Sequence, residues 1–492
     1  MIKTSLTVTT SKAKPGDARA IDLLMTLAKA AQCFQSADGR FHVRVGLGGC
    51  DEILEVRSRA FHDWLLDAYL KEFHALPPRW VVNRVLDALE AGARFAVDKP
   101  TVHVRVGRGL GGNKSCYYLD LGDASGTAVE IGAGGWSVVD RPPVHFRRPE
   151  GSLPLPEPSH EGSIELLQPF VNLGEPEFRL LIGWMASALR PMASYPVLSI
   201  HGERGSSKST LAQIVRKLID PQSVPFLWVP RSARELMITA AGGWLLTIDN
   251  VSTLPDWLSN GLCSLATGGG IAGRMPFTTD ESNVIYAVRP VVLNGIDEFV
   301  GRDDLADMSV FLNLPPISPS RRRTEDEFWT QFDRQYPRIL GGLLNAVAGA
   351  LRELPSVKLM ELPPMADFAF FGEAIGRALG WPAGAFISAY DNNRRGTSAR
   401  ALEESLLGTA LIKMIEWGEP ETWTGSPQEL LDLLARWVSP CEAQAGKQWP
   451  RTPAMLANEL RRLAPELRTR GIDILFRRTS TSRLITVQAR GD

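Results

Sequence analysis

Residues 195–220, YPVLSIHGERGSSKSTLAQIVRKLID, hold the residue types and spacing needed to grip a polyphosphate. PVLSI reads as a short buried strand, GERGSSKST as a glycine-rich turn and TLAQIVRKLI as a helix with an apolar stripe. A phosphate loop requires that order. The turn aims backbone N–H groups at the anion, and the helix N-terminus adds partial positive charge at the same place. The loop comprises Gly202, Glu203, Arg204, Gly205, Ser206, Ser207, Lys208, Ser209 and Thr210. Gly202 and Gly205 would let the backbone approach the phosphates. Lys208 would neutralise the β- and γ-phosphates, and Ser209 would offer its hydroxyl to Mg²⁺. The sixth position of the GxxxxGK[ST] pattern is Ser207, not glycine, which puts a Cβ beside the phosphates.

Two apolar runs further along end in polar residues. GGWLLTIDNVSTLP runs into Asp249, and RPVVLNGIDEF runs into Asn294. A carboxylate at the C-terminal end of a strand beside the loop is where Mg²⁺ needs a partner. An amide at the equivalent place can hydrogen-bond a γ-phosphate or orient a water. Each ending taken alone is commonplace. Three in order along one stretch are not.

The elements that must position these residues form an α/β block from about 195 to 317. Before it, RFHVRVG and DEILEVR alternate like strands, while SRAFHDWLLDAYLKEF and PRWVVNRVLDALEAGARF have helical spacing. TVHVRVGRG, SCYYLDLGD, GTAVEIGA and GWSVVD read as four short strands. Residues 141–163 are dense in proline (Pro142, Pro143, Pro149, Pro154, Pro156, Pro158), which no helix or central strand sustains. The expected organisation is an N-terminal α+β domain over 1–150, whose role the sequence does not reveal, and the α/β core with its preceding helices over 160–318. A helical region over 319–424 and a small terminal domain over 425–492 follow.

The order and spacing of Lys208, Asp249 and Asn294 resemble motifs A, B and C of superfamily 3 helicases, ring-forming ATPases of phage and mobile-element replication. The likeness extends to the C-terminal part of phage primase-helicases and covers most of the chain from about 160. It implies an AAA+-like P-loop fold, ATP and Mg²⁺ as cofactors, Ser209 and Asp249 at the metal, and a hexameric ring around DNA. LATGGGIAGRMPFTTDESNVIYAVRP, between Asp249 and Asn294, resembles the motif that precedes a pore hairpin, so Arg274 and Phe277 would meet a single strand by charge and stacking. Two departures stand out. The family has a second acid after the motif B aspartate, where this chain has Asn250, which can orient a water but not take its proton. Asp256, Asp280 and Glu281 are the alternative bases. An arginine supplied by the neighbouring subunit is also implied, and Arg302 is the first choice, since Met308 and Ser309 stand where another is expected.

The C-terminus points to nucleic acid by its charge. From Trp449 to Arg490 there are nine arginines against Glu459, Glu466 and Asp473, or 9 − 3 = +6, in a chain whose net charge is −1. TPAMLANELRRLAPELRTRG reads as helices broken at Pro465, with Thr452 as cap. GIDILFRR and RLITVQ read as a β-hairpin. Ser426 and Glu429 form a capping-box pattern upstream. Helices followed by a basic hairpin is the order of a winged helix, with Arg461, Arg462, Arg477, Arg478 and Arg483 as candidate DNA contacts.

Composition narrows the field. The near-neutral chain of 492 residues, 44% hydrophobic and 22% charged, is neither disordered nor a basic nucleic-acid coat. No apolar run approaches the roughly 20 residues of a membrane span. The N-terminal residues lack the apolar core of a secretory signal, and the five cysteines form no CxxC pair, so a cytoplasmic setting is expected. The leading expectation is a Mg²⁺-ATP-driven translocase acting on single- or double-stranded DNA. The rival is an ATP-gated DNA-binding or assembly protein that hydrolyses weakly and does not unwind. A small-molecule kinase has no need of the basic C-terminal unit.

Overall fold

The computed structural model describes residues 15–47, 50–111, 114–191, 194–274, 282–295, 303–417, 422–438, 449–478 and 483–489. The first layer is α1 (Pro15–Ala28), β1 (Gln32–Gln35), β2 (Phe41–Leu47), β3 (Cys50–Glu55), α2 (Arg59–Phe73) and α3 (Arg79–Arg94). Alternation along β2 sends Val43 and Val45 inward, and they meet Leu24, Phe61, Leu65, Val81 and Val85 in a core of their own. Ser58 caps α2 by accepting from the Phe61 N–H, and His74, left-handed at φ 50°, ends it.

A second sheet follows: β4 (Val102–His103), β5 (Val106–Gly111), β6 (Lys114–Asp120), β7 (Ala128–Gly132), β8 (Gly135–Val139) and β9 (His145–Phe146). Strands β5 to β8 form an antiparallel meander, and β4 pairs with β9. The proline-rich stretch after β9 is mostly extended, yet the apolar core runs across it. Leu119, Val129 and Ile131 of the meander share one cluster with the helices and sheet beyond.

Those are α4 (Glu175–Ala188), β10 (Val197–Gly202), α5 (Lys208–Ile219), α6 (Ala233–Ala241), β11 (Leu246–Ile248), α7 (Asp256–Thr267), β12 (Gly269–Arg274), β13 (Ser282–Ala287), β14 (Val291–Asn294), α8 (Asp303–Asp307) and β15 (Ser309–Leu314). The four-stranded sheet has the order β11-β14-β10-β15 and is parallel throughout. Its strands are buried on both faces, which explains why they read as continuous apolar runs. β12 and β13 form a separate antiparallel pair, Gly269 opposite Ala287 and Arg274 opposite Ser282.

The helices α9 (Glu325–Glu353), α10 (Ala366–Ala378) and α11 (Ala385–Glu404) close the core. α9 continues through Pro337. Gly341 and Gly342 on α9 let the chain at Ser159 and Ser163 pass against it, because a Cβ at Gly341 would stand 1.8 Å from the Ser159 carbonyl oxygen. Asn393 of α11 closes one edge of the sheet with its side-chain amide, accepting from the Phe311 N–H (2.9 Å) and donating to the Phe311 carbonyl (2.6 Å).

The last unit has its own core. It comprises α12 (Leu406–Trp417), β16 (Thr422–Gly425), α13 (Pro427–Leu434), α14 (Pro453–Thr469), β17 (Ile472–Arg478) and β18 (Arg483–Ala489), with sheet order β16-β18-β17. The sequence suggested a break at Pro465. The structure has one helix, α14, from Pro453 to Thr469. Proline removes only the bond to the Arg461 carbonyl, and packing of Leu456, Leu460, Leu463 and Leu467 into the core outweighs that loss. Among the described residues no helix is long and apolar enough to cross a membrane.

Candidate functional site

Three chain segments meet at the C-terminal edge of the parallel sheet. β10 ends at Gly202, β14 ends at Asn294, and Asp249 follows the last residue of β11. Because β14 lies between β10 and β11, Asn294 sits between the loop and the carboxylate. Open α/β sheets bind ligands at this edge. Asn294 is 1% exposed, and its Nδ2 donates to Ser209 Oγ (3.1 Å) and to Asp249 Oδ1 (2.5 Å). One buried amide thus holds a hydroxyl from α5 and a carboxylate from the β11 end in register. Its backbone carbonyl accepts from the Val251 N–H at 2.8 Å, which pins the turn after Asp249.

The loop is shaped by glycines and one unusual serine. Gly202 has φ 152°, and a Cβ there would stand 2.5 Å from the Leu314 carbonyl oxygen. Gly205 is left-handed at φ 79°. Ser207, where the pattern has glycine, is also left-handed at φ 67°, so it meets the same backbone demand at a steric cost. Ser206 Oγ donates to the Glu203 carbonyl (2.9 Å) and tightens the turn. Among the described residues, the backbone N–H groups of Arg204, Gly205 and Ser207 have no protein acceptor. Those amides, at the start of α5, form a concavity suited to an anion.

Lys208 folds over this concavity. Its Nζ donates to the carbonyls of Gly202 and Glu203, each at 2.8 Å. Partial burial lowers its pKa, against an opposing pull from Asp249. Asp249 Oδ1 also accepts from the Asn250 N–H (2.9 Å), while Oδ2 has no partner among the described residues. A free carboxylate oxygen beside the Ser209 hydroxyl is a hard-oxygen pair of the kind Mg²⁺ takes. Arg204 and Thr210 belong to the same loop and first turn, and Arg204 is exposed. Asn250 is exposed and left-handed at φ 57°. Asparagine tolerates that backbone better than glutamate, so the missing acid has a conformational reason as well as a chemical consequence. Asp256 opens α7 and is exposed. Asp280 and Glu281 lie outside the described residues, as do Phe277 and Arg302. Arg274 ends β12.

Two features near the loop were not anticipated. Trp228 is 93% exposed on a segment that runs beside β11, where the Leu227 N–H donates to the Thr247 carbonyl (2.8 Å). On the other side, Arg322 Nη2 lies 3.7 Å from the position of a Cβ on Gly205, and the Ile317 N–H donates to the Gly205 carbonyl at 3.4 Å. The basic run Arg321, Arg322, Arg323 was a visible signal for the second. An exposed Trp228 left none.

The C-terminal arginines occupy a different place. Arg477, Arg478 and Arg483 are exposed at the end of the β17–β18 hairpin, where Arg478 and Arg483 are directly opposite each other. Like charges so placed repel, and a polyanion would relieve them. Arg461 on α14 stacks over Phe476 at 4.7 Å and donates to Asn458 Oδ1 (3.0 Å), so part of its capacity is used within the unit. Arg462 lies on the same helix.

Comparison with known proteins adds a class. Residues 164–392 match the family model described as actinomycete integrative conjugative element replication protein, AICE RepA. Residues 407–492 match the model of the AICE RepA C-terminal domain. The first stretch carries the parallel sheet and the loop, the second the unit with the basic hairpin. The matches point to a replication protein of a mobile element. No curated protein is significantly similar in sequence. Among solved structures, the apo A form of the NrS-1 C-terminal region aligns at 9% identity and a TM-score of 0.40, covering 96% of this chain and 98% of that one. A second apo structure of that region, residues 305–718, aligns at 10% identity and a TM-score of 0.38, covering 97% and 100%.

Proposed function

We propose that the chain is a Mg²⁺-ATP-dependent DNA translocase of helicase type, serving replication of a mobile element. The observation that carries this reading is Asn294 holding Ser209 and Asp249 together beside the loop of Lys208. A lone glycine-rich turn would not need residues from two other strands to converge on it. Bound ATP supplies the free energy of hydrolysis.

The remaining roles belong to the chain. The amides of 203–207 and Lys208 hold the phosphates, Ser209 and Asp249 hold the metal, and Asn294 orients the attacking water. The β12–β13 hairpin, with Arg274 and Phe277, contacts one strand in the pore of a homohexamer. Arg302 reaches the nucleotide of the neighbouring subunit. The C-terminal unit engages duplex phosphates through Arg477, Arg478 and Arg483, with Arg461 and Arg462 on the helix that faces the groove.

A second reading is favoured by one feature, the left-handed Asn250 where a general base would stand. In it, ATP binding gates assembly on DNA and turnover is slow. Steady-state ATPase and strand-displacement assays with purified protein separate the two. DNA-stimulated turnover with unwinding supports the translocase. ATP and DNA binding without unwinding selects the gated assembly.

A further inference from the structure

The loop has the Asp249 carboxylate on one flank and arginines on the other. Asp249 stands beyond β14, on the β11 side of the loop. On the β15 side, the chain leaving Leu314 crosses the loop and turns into α9. That crossing is fixed at several points. Asn172 Nδ2 donates to the Pro315 carbonyl (2.6 Å), the Ile317 N–H donates to the Gly205 carbonyl (3.4 Å), and the Arg321 N–H donates to the Ser318 carbonyl (2.9 Å). Thr324 then caps α9, accepting from the Glu327 N–H at 3.4 Å. Arg322 is therefore delivered to the loop by a braced turn.

The three arginines differ. Arg323 donates to Gln331 Oε1 (3.3 Å). Arg321 and Arg322 have no carboxylate partner among the described residues, although Glu203 lies on the loop and Glu325, Asp326 and Glu327 open α9. Arg322 is the one whose guanidinium reaches Gly205. An unpaired guanidinium beside a row of unpaired amides is a second donor set for the same anion, and its planar fork suits phosphate oxygens.

We infer that Arg322 contacts the terminal phosphate of the nucleotide on its own subunit's loop and so distinguishes triphosphate from diphosphate. This inference rests on the nucleotide reading of that loop. It is distinct from an arginine supplied across a ring, because β15 and the loop belong to one chain.

The test is equilibrium binding of fluorescent ATP and ADP analogues to the full-length chain and to Arg322→Ala, Arg322→Lys, Arg321→Ala and Lys208→Ala, with unfolding curves as the folding control. The expected result is a roughly tenfold loss of ATP affinity for Arg322→Ala with ADP affinity nearly unchanged. Partial recovery is expected in Arg322→Lys and no change in Arg321→Ala. Lys208→Ala weakens both nucleotides. Equal ATP and ADP affinities in Arg322→Ala and the parent, with Lys208→Ala impaired, overturn the role of Arg322 and leave the loop's reading intact. Loss of DNA affinity alone in Arg322→Ala overturns it in favour of a nucleic-acid contact. Failure of the parent chain to bind either nucleotide overturns both.

Discussion

Helix α5 carries a charged cluster at each end, and the two are built on opposite principles. At its N-terminus Lys208, Ser209, Asp249 and Asn294 gather at a solvent-facing edge, with a free carboxylate oxygen and a row of unpaired amides. Beyond its C-terminus Asp220 is 1% exposed, and every direction is filled. It accepts from Arg105 Nε (3.0 Å), the Trp244 N–H (3.0 Å) and the Leu245 N–H (3.2 Å), with Arg216 close by. Burial alone would raise the Asp220 pKa, but Arg105, Arg216 and the Leu245 amide outweigh it and hold the carboxyl below its usual range. The pairing of acid and base does not distinguish a site from a brace. What does is whether the protein itself satisfies the groups. The Asp220 cluster ties the β5–β8 meander to the parallel sheet, while the Lys208 cluster, whose Lys208 and Asn294 donors are used within it, leaves loop amides and one Asp249 carboxylate oxygen for something else.

The sharpest way to break this contrast is to remove one member from each end. Asp220→Ala strands Arg105 and Arg216 in the interior and is expected to cost about 3–5 kcal/mol in urea unfolding. Lys208→Ala is expected to change stability by no more than about 0.5 kcal/mol, because Lys208 is only partly buried and bonds to loop carbonyls alone. Similar losses in both would erase the distinction.

Ligand response comes next in size. Mg²⁺-ATP at a hundredfold excess over its dissociation constant is expected to stabilise the parent by about 2.7 kcal/mol and Lys208→Ala hardly at all, read as a shift in melting temperature.

Acid should separate the first layer from the Asp220 brace as well. Burial lowers His42 from an ordinary 6.5 to about 4, so the folded state resists protonation that the unfolded chain accepts. Stability from neutral His42 is complete above about pH 6.5 and falls toward pH 4, by about 1.4 kcal/mol per unit at most. The depressed Asp220 carboxyl contributes stability above its unfolded value, lost only as pH falls through the lower folded one. The first layer should therefore loosen before the Asp220 brace does, measurable by amide exchange across that range. Substitution of His42 by Gln should flatten the earlier phase.

The smallest effect concerns the basic hairpin. Arg478→Ala is expected to lower the dependence of log DNA affinity on log salt by about 0.9, as for one phosphate contact, with sequence preference unchanged.

The same contrast explains what could be read from the residues. The strand–loop–helix of 197–219 was legible because local spacing fixes it, and so were the strands ending near Asp249 and Asn294, as apolar runs. In the C-terminal unit the β17–β18 pair was legible, but β16 was not, and neither was the packing of α12 into that unit's core; a hairpin near β12–β13 followed only from the helicase resemblance. The Asp220 brace was not, since Arg105 meets it across 115 residues and no local pattern records the pairing. Pro465 misled because a helix keeps its packing face after losing one backbone bond. Asn250 read as missing chemistry, and only the backbone angle reveals its conformational cause. Arg322 was visible as charge but not as a neighbour of Gly205, because a turn brings them together.

The most direct test of the central claim is steady-state ATP hydrolysis with and without single-stranded DNA, for the parent chain and Lys208→Ala. The account predicts Mg²⁺-dependent turnover raised by DNA in the parent and background turnover in the variant. Equal turnover in both proteins, or none in the parent under any condition, would contradict it.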